Sequence, residues 1–155
     1  MQFISRPANE EDLDFISRLS ARVFSKYGHY DEIVPGWYWE PGVIAEIIME
    51  KNDPLGFAML VLERQRIFEP RRAHLLAIGV LPKHQRKGIG AALLAHMEDL
   101  ARMYGANEMH LWTAVDNKLA LTFFQNAGFK IIGSAERYYP RGQPALALCK
   151  SLDLT

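Results

Sequence analysis

Cysteine occurs once in the 155 residues, at position 149. A single thiol excludes an internal disulfide, and its scarcity fits a reducing cytoplasm. Net charge is missing too, because 18 basic and 18 acidic residues cancel. The chain therefore has no global basic field to draw in nucleic acid. No apolar stretch approaches the ~20 residues of a membrane span. The opening lacks a signal-peptide pattern, since Arg6, Glu10 and Glu11 follow too soon. A cytoplasmic protein without nucleic-acid or membrane partners is expected. Repeats, low-complexity tracts and linkers are absent, so one domain over 1–155 is expected. With 49% hydrophobic residues the chain can bury a proper core and is not disordered. The five histidines and one cysteine show no metal-ligand spacing, so no metal is expected. Cys149 sits in the strand-like run ALALCKSL and reads as a small core residue rather than a nucleophile.

What is present centres on Leu75 to Arg102, LLAIGVLPKHQRKGIGAALLAHMEDLAR. Leu75 to Leu81 is a short apolar run suited to a buried strand, and Pro82 ends it. Lys83 to Lys87 is polar and basic. Gly88 and Gly90 then open a segment with Leu93, Leu94, Met97, Leu100 and Ala101 at helical spacing, stopped by Gly105. Glycine lets backbone approach a ligand closely. The first amides of a helix lack internal partners and carry the positive end of its dipole. With Gln85, Arg86 and Lys87 beside them, they make an anion site suited to phosphate or pyrophosphate. The pattern is neither the P-loop GxxxxGK[ST] nor the dinucleotide GxGxxG.

The rest of the chain supplies alternating elements. A first strand runs over 2–6. Asn9 can cap a helix, with Asp12 in its first turn, that carries Leu13, Ile16, Leu19 and Val23 through about Lys26. Residues 27–42 hold Tyr27, Tyr30, Trp37, Tyr38 and Trp39 among glycines and prolines, which predicts a packed aromatic loop. Such a loop covers the core edge or walls a pocket, since pockets are largely apolar. Val43 to Glu50 fits a helix by spacing and a strand by β-branching; a hairpin with Leu55 to Glu63 is the reading adopted. Strands follow at 108–115, 129–134 and 145–152, with a helix from Asn117 stopped by Gly128. The order predicts a mixed α+β sheet with helices on both faces.

The stretch Gln85-Arg86-Lys87-Gly88-Ile89-Gly90 resembles the Q/R-x-x-G-x-G/A signature of the GNAT superfamily of acyl-CoA-dependent N-acyltransferases. The preceding AIGVLPKHQ is similar to that family's fourth-strand end. Asn117, Ala120, Phe124 and Asn126-Ala127-Gly128-Phe129 follow its N-x-x-A-x-x-x-Y-x-x-x-G-F helix. The resemblance implies a mostly antiparallel twisted sheet of six to seven strands and acetyl transfer from acetyl-CoA to a primary amine, by direct attack in a ternary complex. It implies cofactor contacts at Ile78, Gly79, Val80, Gln85, Arg86, Lys87, Gly88, Ile89, Gly90, Ala91, Asn117 and Phe124. It places the acceptor among Tyr30, Trp37, Trp39, His110 and Tyr138.

The implied chemistry needs a base, an oxyanion donor and an acid for the thiolate. His74 occupies the strand position where several GNAT enzymes carry a Glu or His base; a surface histidine at a strand start is the plain alternative. His110 is its rival. The Ile78 N–H is the implied oxyanion donor. Phe124 replaces the Tyr that often serves as acid, which leaves Tyr138, Tyr139 or water. That substitution also motivates the alternative of a CoA-binding regulatory or interaction domain with degenerate catalysis. The ending RYYPRGQPALALCKSL is similar to that of ribosomal-protein-type N-terminal acetyltransferases, but Gln143-Pro144 stands where they carry an acidic pair. The strand residues Leu111-Trp112-Thr113-Ala114 also lack their Glu. The acceptor is thus a small-molecule or peptide amine, and the protein a monomer or homodimer.

Overall fold

The computed structural model describes residues 3–64 and 67–153. In chain order it has β1 (Ile4–Pro7), α1 (Leu13–Phe24), α2 (Tyr30–Trp37), β2 (Val43–Glu50), β3 (Asp53–Leu62) and β4 (Arg72–Val80). These are followed by α3 (Ile89–Met103), β5 (Glu108–Ala114), α4 (Lys118–Asn126), β6 (Lys130–Ala135) and β7 (Ala145–Ser151). The strands form one sheet in the order β1-β2-β3-β4-β5-β7-β6. Every neighbour pair is antiparallel except β4–β5. This is the α+β sheet that the sequence predicts, with the Val43–Leu62 segment a hairpin. Position 2 of the expected first strand lies outside the described residues.

Each sheet face has its own core. α3 and α4 cover Leu60, Leu75, Met109, Leu111 and Leu148, with Leu93, Leu94 and Met97 pointing inward from α3. α1 and α2 cover Ile47, Phe57, Met59 and Ala77, using Ile16, Leu19 and Val34. The turn before α1 is a reciprocal cap. Glu11 N–H donates to Asn9 Oδ1 and Asn9 N–H to Asp12 Oδ2, both at 2.8 Å. Asp12 also takes a two-pronged contact from Arg6 at 2.8 Å, tying α1 to β1.

Residues 27–42 are not the loop predicted from their glycines and prolines, because Tyr30–Trp37 is helical. Pro35 has no N–H for the Asp31 carbonyl one turn back. The Ser17 hydroxyl donates to that carbonyl instead, at 2.8 Å. α1 therefore repairs the defect that makes a helix hard to see in this stretch.

Strand β4 carries the feature on which the site turns. Met59 pairs with Ala77, but the next residue, Leu60, pairs with Leu75. Leu76 is the extra residue of a β-bulge. Ala73 and Leu75 pack toward α3, whereas Leu76 and Ala77 both pack toward α1. Beyond the bulge, Ile78 and Val80 face α3, and a Cβ added to Gly79 would meet Val23 and Leu19 of α1. Alternation predicts His74, Leu76, Ile78 and Val80 on one face provided no bulge intervenes, and a bulge is expected where the strand splays. The bulge corrects this: His74 shares its face with Ala77 and Gly79.

Candidate active site

β4 and β5 pair only through Arg72–Glu108, Ala73–Met109 and His74–His110. Past that point β5 stays on β7 along its whole length, and the two parallel strands part. Leu81 N–H bonds Leu55 O on the β3 side at 2.8 Å. The Gly79 carbonyl also lies on that side, 2.5 Å from a Cβ built on Gly56. Alternation then turns the backbone groups of Ile78 and Val80 toward the gap. A cavity of about 920 Å³ fills the parting and is lined by residues from both faces of the sheet.

The cofactor half of this cavity is built from the turn. Gly88 has φ 80, a left-handed conformation that favours glycine, and a Cβ there would meet nothing within 4 Å. The first bond of α3 runs from Ala92 N–H to Gly88 O at 3.0 Å. The amides of Ile89, Gly90 and Ala91 are thus left without helical partners. Gly90 differs from Gly88 in facing a neighbour: a Cβ there would come into ordinary contact with the Phe123 ring of α4, at 3.4 Å. Gln85 uses its side-chain amide to hold the Val80 carbonyl at 3.0 Å, so it braces the turn. Arg86 lines the cavity, and Lys87 and Ile89 do not. Ile89 is 1% exposed and belongs to the core. Asn117 caps α4 through Ala120 N–H at 3.2 Å while still lining the cavity, as Phe124 does.

The acceptor half is aromatic. Tyr27, Tyr30 and Trp37 come from α1–α2, and Tyr138 and Tyr139 from the β6–β7 loop. Tyr139 packs on Tyr27 with ring centroids 4.9 Å apart, and Tyr138 stacks on Trp112 at 4.7 Å. Tyr27 OH donates to Asp116 Oδ1 at 3.0 Å, and Lys26 pairs with the same carboxylate at 2.6 Å. Burial first, then Asp116, pushes the Tyr27 phenol up to about 12. Burial also raises Tyr138, and raises Tyr139 more, where the phenols of Tyr138, Tyr30 and Tyr27 add to it. No Asp or Glu lines the cavity among the described residues.

His74 lines the cavity, and its Nε2 lies 2.9 Å from Glu63 Oε1. That hydrogen bond holds the Glu63 carboxyl below its usual range. With Nε2 committed to the carboxylate as donor, Nδ1 is the nitrogen left to accept a proton. Two expected acceptor residues lie elsewhere. Trp39 is 60% exposed, packs on Tyr38 and does not line the cavity. His110 does not line it either; its ring lies 5.6 Å from that of His74 and touches Glu108 and Cys149. Sequence reasoning missed Glu63 and the Tyr27–Asp116 latch. Glu63 sits at the mouth of a charged loop, and the latch partners are 89 residues apart.

The family model of the GNAT acetyltransferases matches residues 13–129. The N-alpha-acetyltransferase of Sulfurisphaera tokodaii is 34% identical over 83 residues, covering 53% of this chain and 50% of that protein. The matched region thus spans half the length of that relative. The N-alpha-acetyltransferase of Saccharolobus solfataricus is 27% identical over 157 residues, covering 97% of this chain and 93% of that protein. NAA60 of Arabidopsis thaliana, in complex with acetyl-CoA, shares the fold with a TM-score of 0.82. Its identity is 13%, with 97% of this chain and 98% of that one covered.

Proposed function

The chain belongs to the GNAT acetyltransferase family, and on that premise we propose that it transfers an acetyl group from acetyl-CoA to the primary amine at the start of a peptide or protein. The observation that carries this reading is the parted β4–β5 pair ending in a turn with free amides. The residues present fit such a cofactor. The N–H groups of Ile89, Gly90 and Ala91, with Arg86 beside them, suit a pyrophosphate. The open edge of Ile78 and Val80 suits an extended amide-bearing arm. When bound, acetyl-CoA supplies an activated acyl group as a thioester.

This chain's own residues then do three things. His74, held by Glu63, takes the proton from the acceptor amine at Nδ1, directly or through a water. The Ile78 N–H donates to the oxygen on which negative charge develops. Tyr138 donates toward the departing sulfur. Transfer from either phenol to a thiolate, whose thiol titrates near about 8.5, is uphill, and Tyr139 is the weaker donor because burial and the neighbouring phenols raise it further. The lining favours an apolar acceptor end. Several ammonium groups held at once call for carboxylates, and among the described residues no Asp or Glu lines the cavity. The names of the relatives point the same way, toward an alpha-amine. The single cysteine suits a reducing, cytoplasmic setting.

The test is release of free CoA thiol from acetyl-CoA with a panel of peptides and small amines. Turnover with apolar-ended peptides, above that with polyamines, is expected. Binding of acetyl-CoA without turnover on any acceptor would instead make the chain a CoA-binding domain.

A further inference from the structure

A second cluster lies outside the cavity, on β5 and β7. His110 and Cys149 are direct cross-strand partners, and Glu108 lies two residues before His110 on the same face. His110 Nε2 is 3.0 Å from Glu108 Oε1 and 3.4 Å from Cys149 Sγ. The three donor atoms all lie within 4.8 Å of one another. The two contacts meet the same ring nitrogen. In a nucleophilic triad, thiol and carboxylate bind opposite nitrogens of the imidazole. Here they converge on one, which removes that reading. They also compete. An Nε2 that carries a proton serves the carboxylate and gives the thiol no acceptor, whereas an Nε2 that lacks one leaves the carboxylate facing a lone pair.

A bound cation would give all three donors one common partner. A tetrahedral zinc with bonds of about 2.3 Å to sulfur and about 2.0–2.2 Å to nitrogen and oxygen needs N···S near ~3.5 Å and N···O near ~3.4 Å. The observed 3.4 and 3.0 Å lie within a few tenths of those edges. We propose that Glu108, His110 and Cys149 form a three-ligand site for a borderline-soft divalent cation, zinc first. Thiolate, imidazole and carboxylate together select such an ion over magnesium or calcium. The side chains of His110 and Glu108 are 14% and 29% exposed, so an ion can enter and its fourth position stays open. Arg72 Nε approaches Glu108 Oε1 at 3.5 Å, the loosest ion pair around the cluster, and must yield that oxygen. Sequence spacing hides the set, because His110 and Cys149 are 39 residues apart and only strand pairing joins them.

Cobalt(II) tests the proposal, with the intact chain and without reference to acetyl transfer. Cys149 is the one cysteine, so a thiolate-to-cobalt charge-transfer band can report no other residue. One equivalent of cobalt should raise that band, and zinc should displace it. Cys149→Ser should abolish it. His110→Ala and Glu108→Gln should each weaken cobalt affinity by at least the ~10–100-fold that loss of even an outer partner costs. Glu108→Gln is nearly isosteric at a partly exposed position, so it carries the reading if His110→Ala fails to fold. Absence of the band at stoichiometric cobalt overturns the site. So does a band whose affinity survives Glu108→Gln unchanged.

Discussion

The two halves of the cavity are made in opposite ways. The cofactor half centres on one contiguous turn, Gln85 to Ala91, which runs into the start of α3, with the Ile78–Val80 strand edge, Asn117 and Phe124 beside it. The acceptor half comes from α1, α2, the β5–α4 corner and the β6–β7 loop, joined by contacts such as Tyr27 to Asp116 and Gln143 Nε2 to Lys26 O at 2.8 Å. A contiguous turn needs only local conformation, so it can keep one chemistry while the far-flung half changes acceptor. The acceptor half depends on tertiary packing, and its residues therefore carry stability and specificity at once.

The largest effect that would separate the halves is loss of the base. His74→Ala should lower kcat by roughly 10²–10⁴-fold, with acetyl-CoA affinity nearly unchanged. Glu63→Gln should lower kcat less, because the imidazole stays in place but loses its carboxylate. Steady-state kinetics on one peptide acceptor measures both. If His74→Ala keeps more than about a tenth of wild-type kcat, below the range for such catalysis, the proton leaves by another route.

Next in size is the cofactor turn. At a hundredfold its dissociation constant, CoA should stabilise the fold by about 2.7 kcal/mol. Gly88→Val should remove that shift, since φ 80 is closed to a β-branched residue. Its Cβ meets no neighbour, so the free protein should lose little beyond the local strain. Melting curves with and without CoA decide it. A Gly88→Val protein with a full CoA shift would mean that the turn does not hold the cofactor.

The same contrast explains what was legible beforehand. The turn, the α3 periodicity and the alternation of strands are local patterns, and they read correctly. Alternation puts His74 with Ile78 only if β4 has no bulge; a bulge is expected where the strands splay, but no glycine or proline marks Leu76 as its position. Helix α2 was hidden by Pro35, whose defect is repaired by Ser17 from another helix. Trp37 and Trp39 look alike in sequence, yet only the first turns into the cavity. Long-range partners decide such facts, and no window of sequence contains them.

That pair of tryptophans gives a smaller and sharper test. Trp37 packs against the α1–α2 core and lies at 6.2 Å from the Tyr30 ring. Trp37→Ala should raise the acceptor KM more than the acetyl-CoA KM, and should also destabilise, by up to the ~3–5 kcal/mol of a fully buried aromatic. Trp39→Ala should stay within about 0.5 kcal/mol and leave both KM values alone, as an exposed residue does. Equal effects of the two changes on acceptor KM would erase the distinction between wall and surface.

The smallest expected effect concerns how the acceptor half is anchored. Arg6 donates twice to Asp12 and thereby holds its carboxyl below the usual range; desolvation opposes this, and the Asn9 amide adds to it. A carboxylate with a depressed folded pKa stabilises the fold above its unfolded value, about 3.9, and that stability is lost as pH falls through the folded pKa. The contact is two-pronged, but the Arg6 side chain is 37% exposed, so solvent limits it to about 1 kcal/mol. Asp12→Asn keeps an oxygen for the Asn9 amide and removes the charge. The variant should therefore melt lower than wild type at neutral pH, with the gap closing as acid protonates Asp12. Because α1 carries Val23, Phe24 and Arg22 to the cavity, the same acid range should loosen acceptor-side aromatic signals before α3. Chemical denaturation of both proteins from neutral pH to about pH 3, below the unfolded carboxylate value, measures the gap. A gap that stays constant across that range would show that Asp12 acts through its cap hydrogen bond alone, with no share from the Arg6 pair.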